Sequence, residues 1–294
     1  MKFDEVVYFY LKEKQFGRKA VRPNTLEGYV SAINHHLMPQ FRGRDIESIK
    51  ANELQSWVDS FVKSGSCRKA FYTFRQIYRW YLRAYHVRIY DETLDIELPR
   101  HIRRKPYALT RSQAVSAMRD MRGEVWEPCA LVQLSCGLRP CEAIALKWSD
   151  VNLKTGEVSI TKGLHESFGQ VYESPTKTEK STRTVILPRF AVERLRHIKR
   201  ERQARKHDRL CSLTPCAYRS RVRRWFARRG LHMCAQWLRH TFGTLSLQAG
   251  TPIETVALML GHTSVSTFYE HYLVGNSSLM REAQRGYACA LGVG

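Results

Sequence analysis

The sequence predicts a mainly α-helical protein with a small antiparallel β-sheet, divided into two domains. Three observations lead to this prediction. Residues 1–97 carry their apolar side chains at helical spacing. A basic segment bracketed by prolines then interrupts the chain at 98–107. Beyond that segment, helical patterns enclose three short β-branched stretches between residues 158 and 187.

Four helices are predicted in the first domain, at 3–16, 25–38, 53–63 and 67–87. On the fourth helix, five side chains gather on one face: Phe71, Phe74, Ile77, Tyr78 and Tyr81. Four arginines gather on the other: Arg68, Arg75, Arg79 and Arg83. We therefore expect one face to pack against the rest of the domain and the other to contact nucleic acid. A helix face lined with arginines can also simply be exposed to solvent.

The segment 98–107 is predicted to be an extended linker, because Pro99 and Pro106 disfavour helix in the residues that precede them. Its basic residues include Arg103, Arg104 and Lys105. These charges suit a phosphate backbone, and a solvated linker without a partner explains them equally well. The predicted organisation is a helical domain at 1–97, this linker, a second domain at 108–276 and a tail at 277–294.

The second domain is predicted to mix helices and strands. Thr110 and Gln113 form a capping-box pattern that opens a helix to residue 121, and a mostly apolar helix follows at 125–136. Strands at 158–161, 170–173 and 182–187 would form the small sheet. Five further helices are predicted at 190–204, 218–229, 237–248, 252–260 and 264–273.

The charge balance indicates an acidic polymer as partner. The chain has 294 residues, with 48 Lys and Arg against 27 Asp and Glu, and a formal net charge of +21. No stretch approaches the ~18 apolar residues that span a bilayer, and the N-terminus lacks the apolar run of a signal peptide. We therefore expect no membrane partner and a cytoplasmic location.

The eight cysteines are thinly spread, which predicts reduced thiols rather than a disulfide framework. Five residues are of the types that bind zinc: His207, Cys211, Cys216, His232 and Cys234. No repeated Cys-x-x-Cys pair occurs among them, and Pro215 interrupts their spacing. We expect no metal.

Three segments carry polar residues in apolar surroundings. Arg139 lies between two predicted helices, and Glu142 is close enough to hold its guanidinium, an arrangement that is often only structural. Arg239 and His240 begin another helix, where a buried guanidinium needs an anionic partner such as a phosphate. In the third segment, 258–272, two tyrosines follow a histidine, and a plain helix-turn-helix with core aromatics would also explain it.

Together these segments resemble the tyrosine recombinase family, also called phage integrases, over residues 109–275. The family's ordered signature is Gly-Leu-Arg-x-x-Glu, Lys on a β-hairpin, His-x-Leu-Arg-His-Thr, Leu-Gly-His, and Tyr nine or ten residues later. The chain supplies the signature in this order: Gly137-Leu138-Arg139 with Glu142, Lys177, Leu238-Arg239-His240-Thr241, Leu260-Gly261-His262 and Tyr272. Five ordered matches are far more specific than any one of them.

The resemblance implies a helical core-binding domain that clamps DNA and a mixed α/β catalytic domain. It implies a site-specific recombinase that cuts and rejoins DNA through a 3′-phosphotyrosine intermediate, with no ATP, metal or other cofactor. Tyr272 would be the nucleophile and Lys177 the general acid. The phosphate would be bound by Arg139, Arg239 and His262. Glu142 and His240 would orient these residues without contacting the phosphate.

The same resemblance implies double-stranded DNA as partner, a homo-oligomer that forms a tetramer on synapsed sites, and association with the nucleoid. The tail at 277–294 would dock on a neighbouring protomer, and folding back onto its own domain is equally plausible. The basic residues of 218–229, among them Arg221, Arg223 and Arg224, are expected to contact phosphates rather than bases.

Gln236 departs from the family pattern, since it stands where His or Lys is usual. An amide cannot act as a general base, but it can donate a hydrogen bond to a phosphate oxygen.

The assignment of Lys177 as the general acid has alternatives. Lys180 and Arg183 lie close to Lys177 in the sequence, and any of the three could simply contact phosphate.

Two other function classes remain open at this point. A helix-turn-helix regulator would use residues 252–272 to bind DNA and perform no chemistry, but it has no use for Arg139, Lys177 and Arg239 together. A type IB topoisomerase would share the tyrosine chemistry and relax DNA as a monomer.

Overall fold

The computed structural model describes residues 1–100, 107–175 and 182–261. Backbone contacts divide the chain into two compact units, Met1–Arg104 and Lys105–Gly294. Both units are mainly helical, as the sequence predicts, and the four strands that the structure describes lie in the second. In those three ranges, no helix is both long and apolar enough to cross a bilayer.

The first unit has an aromatic core formed by its helices. Its elements are α1 (Phe3–Phe16), α2 (Pro23–Ala32), a π-helical turn (Ile33–Leu37), α3 (Met38–Phe41), α4 (Ala51–Asp59) and α5 (Ser64–Ala84). The Phe3 ring centroid lies 5.6 Å from that of Phe41 and 5.8 Å from that of Phe74. All five side chains predicted on the packing face of α5 are buried, which confirms that face.

The helix predicted at 25–38 is confirmed as a helical stretch, but a π-helical turn interrupts its α-helical hydrogen bonding. There, the backbone N–H of Met38 donates to the carbonyl of Ile33, five residues back. Pro39 follows at once; it has no N–H to donate, and its ring crowds the carbonyl four residues before it. The backbone therefore widens before the chain continues as α3.

The start of α4 shows how a distant residue sets a helix boundary. This helix begins at Ala51 and ends at Asp59, rather than at 53 and 63. A Glu92 carboxylate oxygen accepts a hydrogen bond from the Ala51 N–H at 3.0 Å, which satisfies one of the free donors of the first turn. Since Glu92 lies 41 residues further along the chain, no local pattern predicts this cap.

The second unit contains seven described helices: α6 (Arg111–Asp120), α7 (Glu127–Cys136), α8 (Pro140–Ala145), α9 (Arg189–Glu201), α10 (Pro215–Ala227), α11 (Gln236–Gln248) and α12 (Ile253–Leu260). The predicted capping box opens α6. Gln113 N–H donates to Thr110 Oγ1 at 3.3 Å, and Thr110 N–H donates to Gln113 Oε1 at 2.9 Å. The helix predicted at 264–273 lies outside the described residues.

The strands form two antiparallel pairs rather than one sheet. They are β1 (Glu157–Ile160), β2 (Lys162–Ser167), β3 (Gln170–Pro175) and β4 (Arg183–Ile186), with β1 paired to β4 and β2 to β3. Strand β2 is not predicted from the sequence, because Lys-Gly-Leu-His-Glu-Ser contains no β-branched residue. A two-residue turn at Phe168 and Gly169, with φ of 49° and 75°, closes the β2–β3 hairpin.

Helix α7 is the centre of the second unit, and this position sets up the candidate site. Nine of its ten residues are buried, as expected for the apolar helix of the sequence analysis. It packs against α8, α9 and α11. Helix α7 therefore meets helices that come from widely separated parts of the sequence.

Candidate active site

The site is organised around the turn that ends α7. Gly137 follows the helix with φ of +70°, a left-handed conformation that glycine adopts without strain. A Cβ at this position would lie 2.4 Å from Leu260 Cδ2 and 2.5 Å from Phe242 Cδ1. Both the backbone conformation and the close approach of α11 and α12 therefore require glycine here.

Arg139 comes two residues later and precedes α8, whose first residue is Pro140. Its Nη1 donates to Glu142 Oε1 at 2.7 Å, and its backbone N–H donates to Glu142 Oε2 at 2.9 Å. Its Nη2 donates to the carbonyl of Gly261 at 3.2 Å. The Arg139 side chain is still 34% exposed.

Glu142 is buried, with 4% of its side chain exposed, and it has a second cationic partner. Arg183 Nη2, from β4, donates to Glu142 Oε2 at 3.0 Å. Burial acts to raise the pKa of Glu142, but attraction and hydrogen bonds from Arg183 and Arg139 outweigh it, and the pKa lies below its usual range. Glu142 is therefore a carboxylate between two guanidinium groups.

Arg239 approaches the same turn from α11. It is one of the largest fully buried side chains, with 2% exposure, and its Nη1 donates to the carbonyl of Gly137 at 2.9 Å. The next residue, His240, is half-buried. After it, Thr241 joins α11 to the start of the unit, because its Oγ1 accepts the Leu109 N–H at 3.0 Å. The structure thus brings the Arg139 and Arg239 segments together at the end of α7.

An open groove of about 640 Å³ runs beside Arg139. Gln236, at the first position of α11, lines it together with Arg219 and Arg223 from α10. His165 on β2 also lines the groove. Neither this residue's place in the site nor its strand is predicted from the sequence. Four cationic or amide side chains around one cavity can bind an anionic group through hydrogen bonds.

The arginines of α10 separate onto two faces. Arg223 lines the groove beside Arg139, whereas Arg221 and Arg224 line a second groove of about 280 Å³ with Arg228, Glu124 and Trp126. Residues four apart share a helix face, whereas residues two apart do not. The sequence alone predicts one cluster of basic residues here and does not separate the two surfaces.

The arginines of α5, in the first unit, differ in what they contact. Arg68 Nη1 donates to the carbonyl of Pro99 at 3.1 Å, and Arg79 Nε pairs with Asp91 at 2.6 Å. Arg75 lines a groove of about 500 Å³ whose other walls are Tyr10, Lys14, Tyr72, Gln76, Arg79, Trp80 and Arg83. Arg75 Nε is buried and has no hydrogen-bond partner among residues 1–100, 107–175 and 182–261.

Several predicted site residues lie outside the described residues: Arg103, Arg104, Lys105, Lys177, His262 and Tyr272. Three further parts of the chain lie there too: Lys180, the alternative to Lys177; Tyr269, the other tyrosine of the segment 258–272; and the tail at 277–294. In the part of the chain that the structure does describe, no group of three or more His, Cys, Asp or Glu side chains is placed to hold a metal ion.

Comparison with known proteins identifies similar sequences and folds. Tyrosine recombinase XerD of Shewanella oneidensis is 26% identical over 270 residues, which cover 86% of this chain and 87% of that protein. The Tn1549 transposon integrase, solved in complex with transposon right end DNA, has a similar fold, with a TM-score of 0.78 at 16% identity over 96% of this chain and 99% of the other. A lambda integrase dimer bound to a COC′ core site gives a TM-score of 0.69 at 16% identity, covering 92% and 95% of the two chains.

Family profiles match both parts of the chain. The N-terminal SAM-like domain of phage integrases matches residues 2–62, inside the first helical unit. The phage integrase family itself matches residues 109–277, which is more than half of the chain and includes Arg139, Glu142, Gln236 and Arg239. The chain therefore belongs to the phage integrase family, the family of the tyrosine recombinases.

Proposed function

We propose that this protein is a site-specific DNA recombinase that cuts and rejoins DNA strands through a 3′-phosphotyrosine intermediate, without ATP or metal. The observation that carries the proposal is the meeting of Arg139 and Arg239 at the end of α7. Arg239 donates to the carbonyl of Gly137, and Arg139 follows two residues later with its side chain partly exposed. Two guanidinium groups in this arrangement suit the two non-bridging oxygens of one phosphodiester.

In the proposed reaction, the phenolic oxygen of Tyr272 attacks the scissile phosphorus. A phosphorus–oxygen bond to the tyrosine forms while the bond to the 5′-oxygen breaks, so the bond energy is retained for rejoining. Lys177 gives a proton to the departing 5′-oxygen, and His262 joins the two arginines on the phosphate. The phenolic proton passes to solvent, because the amide of Gln236 cannot accept it.

The proposed partner is double-stranded DNA. A structure of a lambda integrase tetramer bound to a Holliday junction also has a fold similar to that of this chain. The TM-score is 0.66 at 16% identity, over 91% of this chain and 77% of the other. By analogy we propose a homotetramer on two synapsed sites. The helical domain at 1–97 would clamp the duplex, the basic linker at 98–107 would follow its backbone, and the catalytic domain at 108–276 would cut it. Such a protein acts in the cytoplasm, at the nucleoid.

The tail at 277–294 is proposed to dock on a neighbouring protomer of this tetramer. Deleting it should leave binding to a single site unchanged and impair synapsis, because only contacts between protomers would be lost. Equal loss of single-site binding would indicate that the tail folds onto its own domain instead.

The experiment that tests the proposed function uses the full chain and duplexes carrying the repeats that flank its host element. We expect an adduct that survives denaturation, formed in EDTA and without ATP, and strand exchange between two differently labelled duplexes. A helix-turn-helix regulator would form no adduct. A topoisomerase would form the adduct and relax supercoils without exchanging strands.

Gln236→Ala is expected to slow cleavage by roughly 10 to 100-fold, because one hydrogen-bond donor to the phosphate is lost. Gln236→His should be tolerated, since imidazole can also donate. The rate of adduct formation at saturating protein measures both. Gln248→Ala, at the exposed far end of the same helix, is the matched control and should cleave normally. Complete inactivity of Gln236→Ala would mean that its role exceeds that of one donor.

Arg75→Gln is expected to weaken binding to specific and random duplexes alike and to reduce the slope of log K against log salt by about 0.9. The reason is that Arg75 Nε is buried in a basic groove without a partner in the described residues, as a phosphate-binding group would be before DNA arrives. Lys50→Gln removes the same charge from the same unit but outside the groove, where Lys50 pairs with Glu92. That control should keep its slope; an unchanged slope for Arg75→Gln would remove the groove from the DNA footprint.

A further inference from the structure

Arg183 is buried and bonded to protein groups, although its position among basic residues suggests an exposed cation. Its basic neighbours, Lys177 and Lys180, are candidate phosphate contacts. Its side chain is nevertheless only 7% exposed. Its Nη2 donates to Glu142 Oε2 at 3.0 Å and its Nε donates to the carbonyl of Met259 at 2.7 Å. With these donors engaged by the protein, Arg183 is not available to follow a DNA backbone.

The contacts of Arg183 close a ring that includes Arg139. Glu142 accepts hydrogen bonds from both arginines. Both arginines also reach the end of α12, Arg183 at the carbonyl of Met259 and Arg139 at the carbonyl of Gly261. At Gly261, where φ is +66°, a Cβ would lie 3.0 Å from Arg183 Nη1. The ring thus joins α8, β4 and the end of α12.

The charges in this ring do not cancel. Two guanidinium groups share one carboxylate, so one positive charge remains, and Arg139 is the member that is partly exposed. Without Arg183, the carboxylate of Glu142 would be paired with Arg139 alone. The pair would then be neutral overall and less attractive to a phosphate, because charges interact strongly where water is excluded.

We propose that Arg183 is a positioning residue for catalysis: by sharing Glu142, it fixes the Arg139 guanidinium in place and leaves its positive charge uncompensated for the scissile phosphate. This inference rests on the proposed recombinase function. It adds a residue that acts through Arg139 without contacting DNA. Its consequence is that loss of Arg183 should resemble a partial loss of Arg139.

The test compares cleavage of a normal nicked duplex with cleavage of one that carries an uncharged methylphosphonate at the scissile position. A methylphosphonate has no charge for Arg139 to balance. We expect Arg183→Gln to slow cleavage of the phosphate by roughly 10 to 100-fold and of the methylphosphonate by no more than about threefold. Arg139→Ala should give the same pattern more strongly. Arg183→Lys, which keeps the charge, should recover part of the phosphate cleavage.

A double variant separates positioning from a structural role. In the Arg139→Ala background, adding Arg183→Gln should cost no more than about twofold, because the residue through which Arg183 acts is already gone. Equal losses on both substrates, or losses that multiply in the double variant, would overturn the proposal. If Arg183→Gln loses its cooperative thermal transition, Arg183→Lys replaces it, with a smaller loss expected on the phosphate and none on the methylphosphonate. Failure of the unaltered chain to form any adduct would instead reject the recombinase function itself.

Discussion

Tyr272→Phe is expected to bind its DNA site normally and to form no covalent complex with a nicked duplex. The substitution removes only the phenolic oxygen, which is the proposed nucleophile, and keeps the aromatic ring, so binding has no reason to change. A nick close to the cleavage point lets the short cleaved strand diffuse away, which traps the adduct. The measurement is the fraction of DNA held by protein on a denaturing gel, beside a mobility shift that reports binding.

Tyr269→Phe is the matched control for this experiment. Tyr269 and Tyr272 are three residues apart and would share a face if the segment is helical. They follow His262 by seven and ten residues, and the family spacing of nine or ten favours Tyr272. Tyr269→Phe should therefore still form the adduct. An adduct that survives Tyr272→Phe and disappears in Tyr269→Phe would exchange the two assignments.

Local features of this fold could be predicted from the sequence, because the residues that determine them are neighbours in the chain. The capping box of Thr110 and Gln113 is of this kind. So is the end of α7, where Gly137 supplies a left-handed residue. The packing face of α5 follows from helical spacing alone. In each case a short window contains both the signal and its physical cause.

Features set by distant residues could not be predicted in this way. The start of α4 depends on Glu92, and the pairing of β2 depends on a turn rather than on β-branched residues. Arg183 is the clearest case at the site. Its sequence neighbours suggest a surface cation, whereas its partners are Glu142, 41 positions away, and Met259, 76 positions away. Only the folded chain brings a carboxylate and a carbonyl to that guanidinium.

Arg239→Lys is the second substitution with a large expected effect. Arg239 is almost fully buried, and its Nη1 donates to the carbonyl of Gly137. This hydrogen bond orients the planar guanidinium group. A lysine keeps the charge but carries a single ammonium group, which cannot hold Gly137 and bind a phosphate oxygen in the same planar geometry. We expect adduct formation to slow on the order of 10³-fold, equivalent to about 4 kcal/mol of transition-state stabilisation.

Arg194→Lys makes the same chemical change away from the site and serves as the control for Arg239→Lys. Arg194 pairs with the buried carboxylate of Glu127 through contacts of 2.6 and 2.9 Å, and its side chain is 19% exposed. Its replacement should lower the melting temperature, because it disturbs a buried ion pair, and leave the cleavage rate of the folded protein within about threefold of normal, because Glu127 lies at the opposite end of α7 from Gly137. If Arg239→Lys also cleaved within that range while remaining folded, Arg239 would be a structural arginine that supports the end of α7. Phosphate binding would then fall to Arg139 and the arginines of the groove, Arg219 and Arg223.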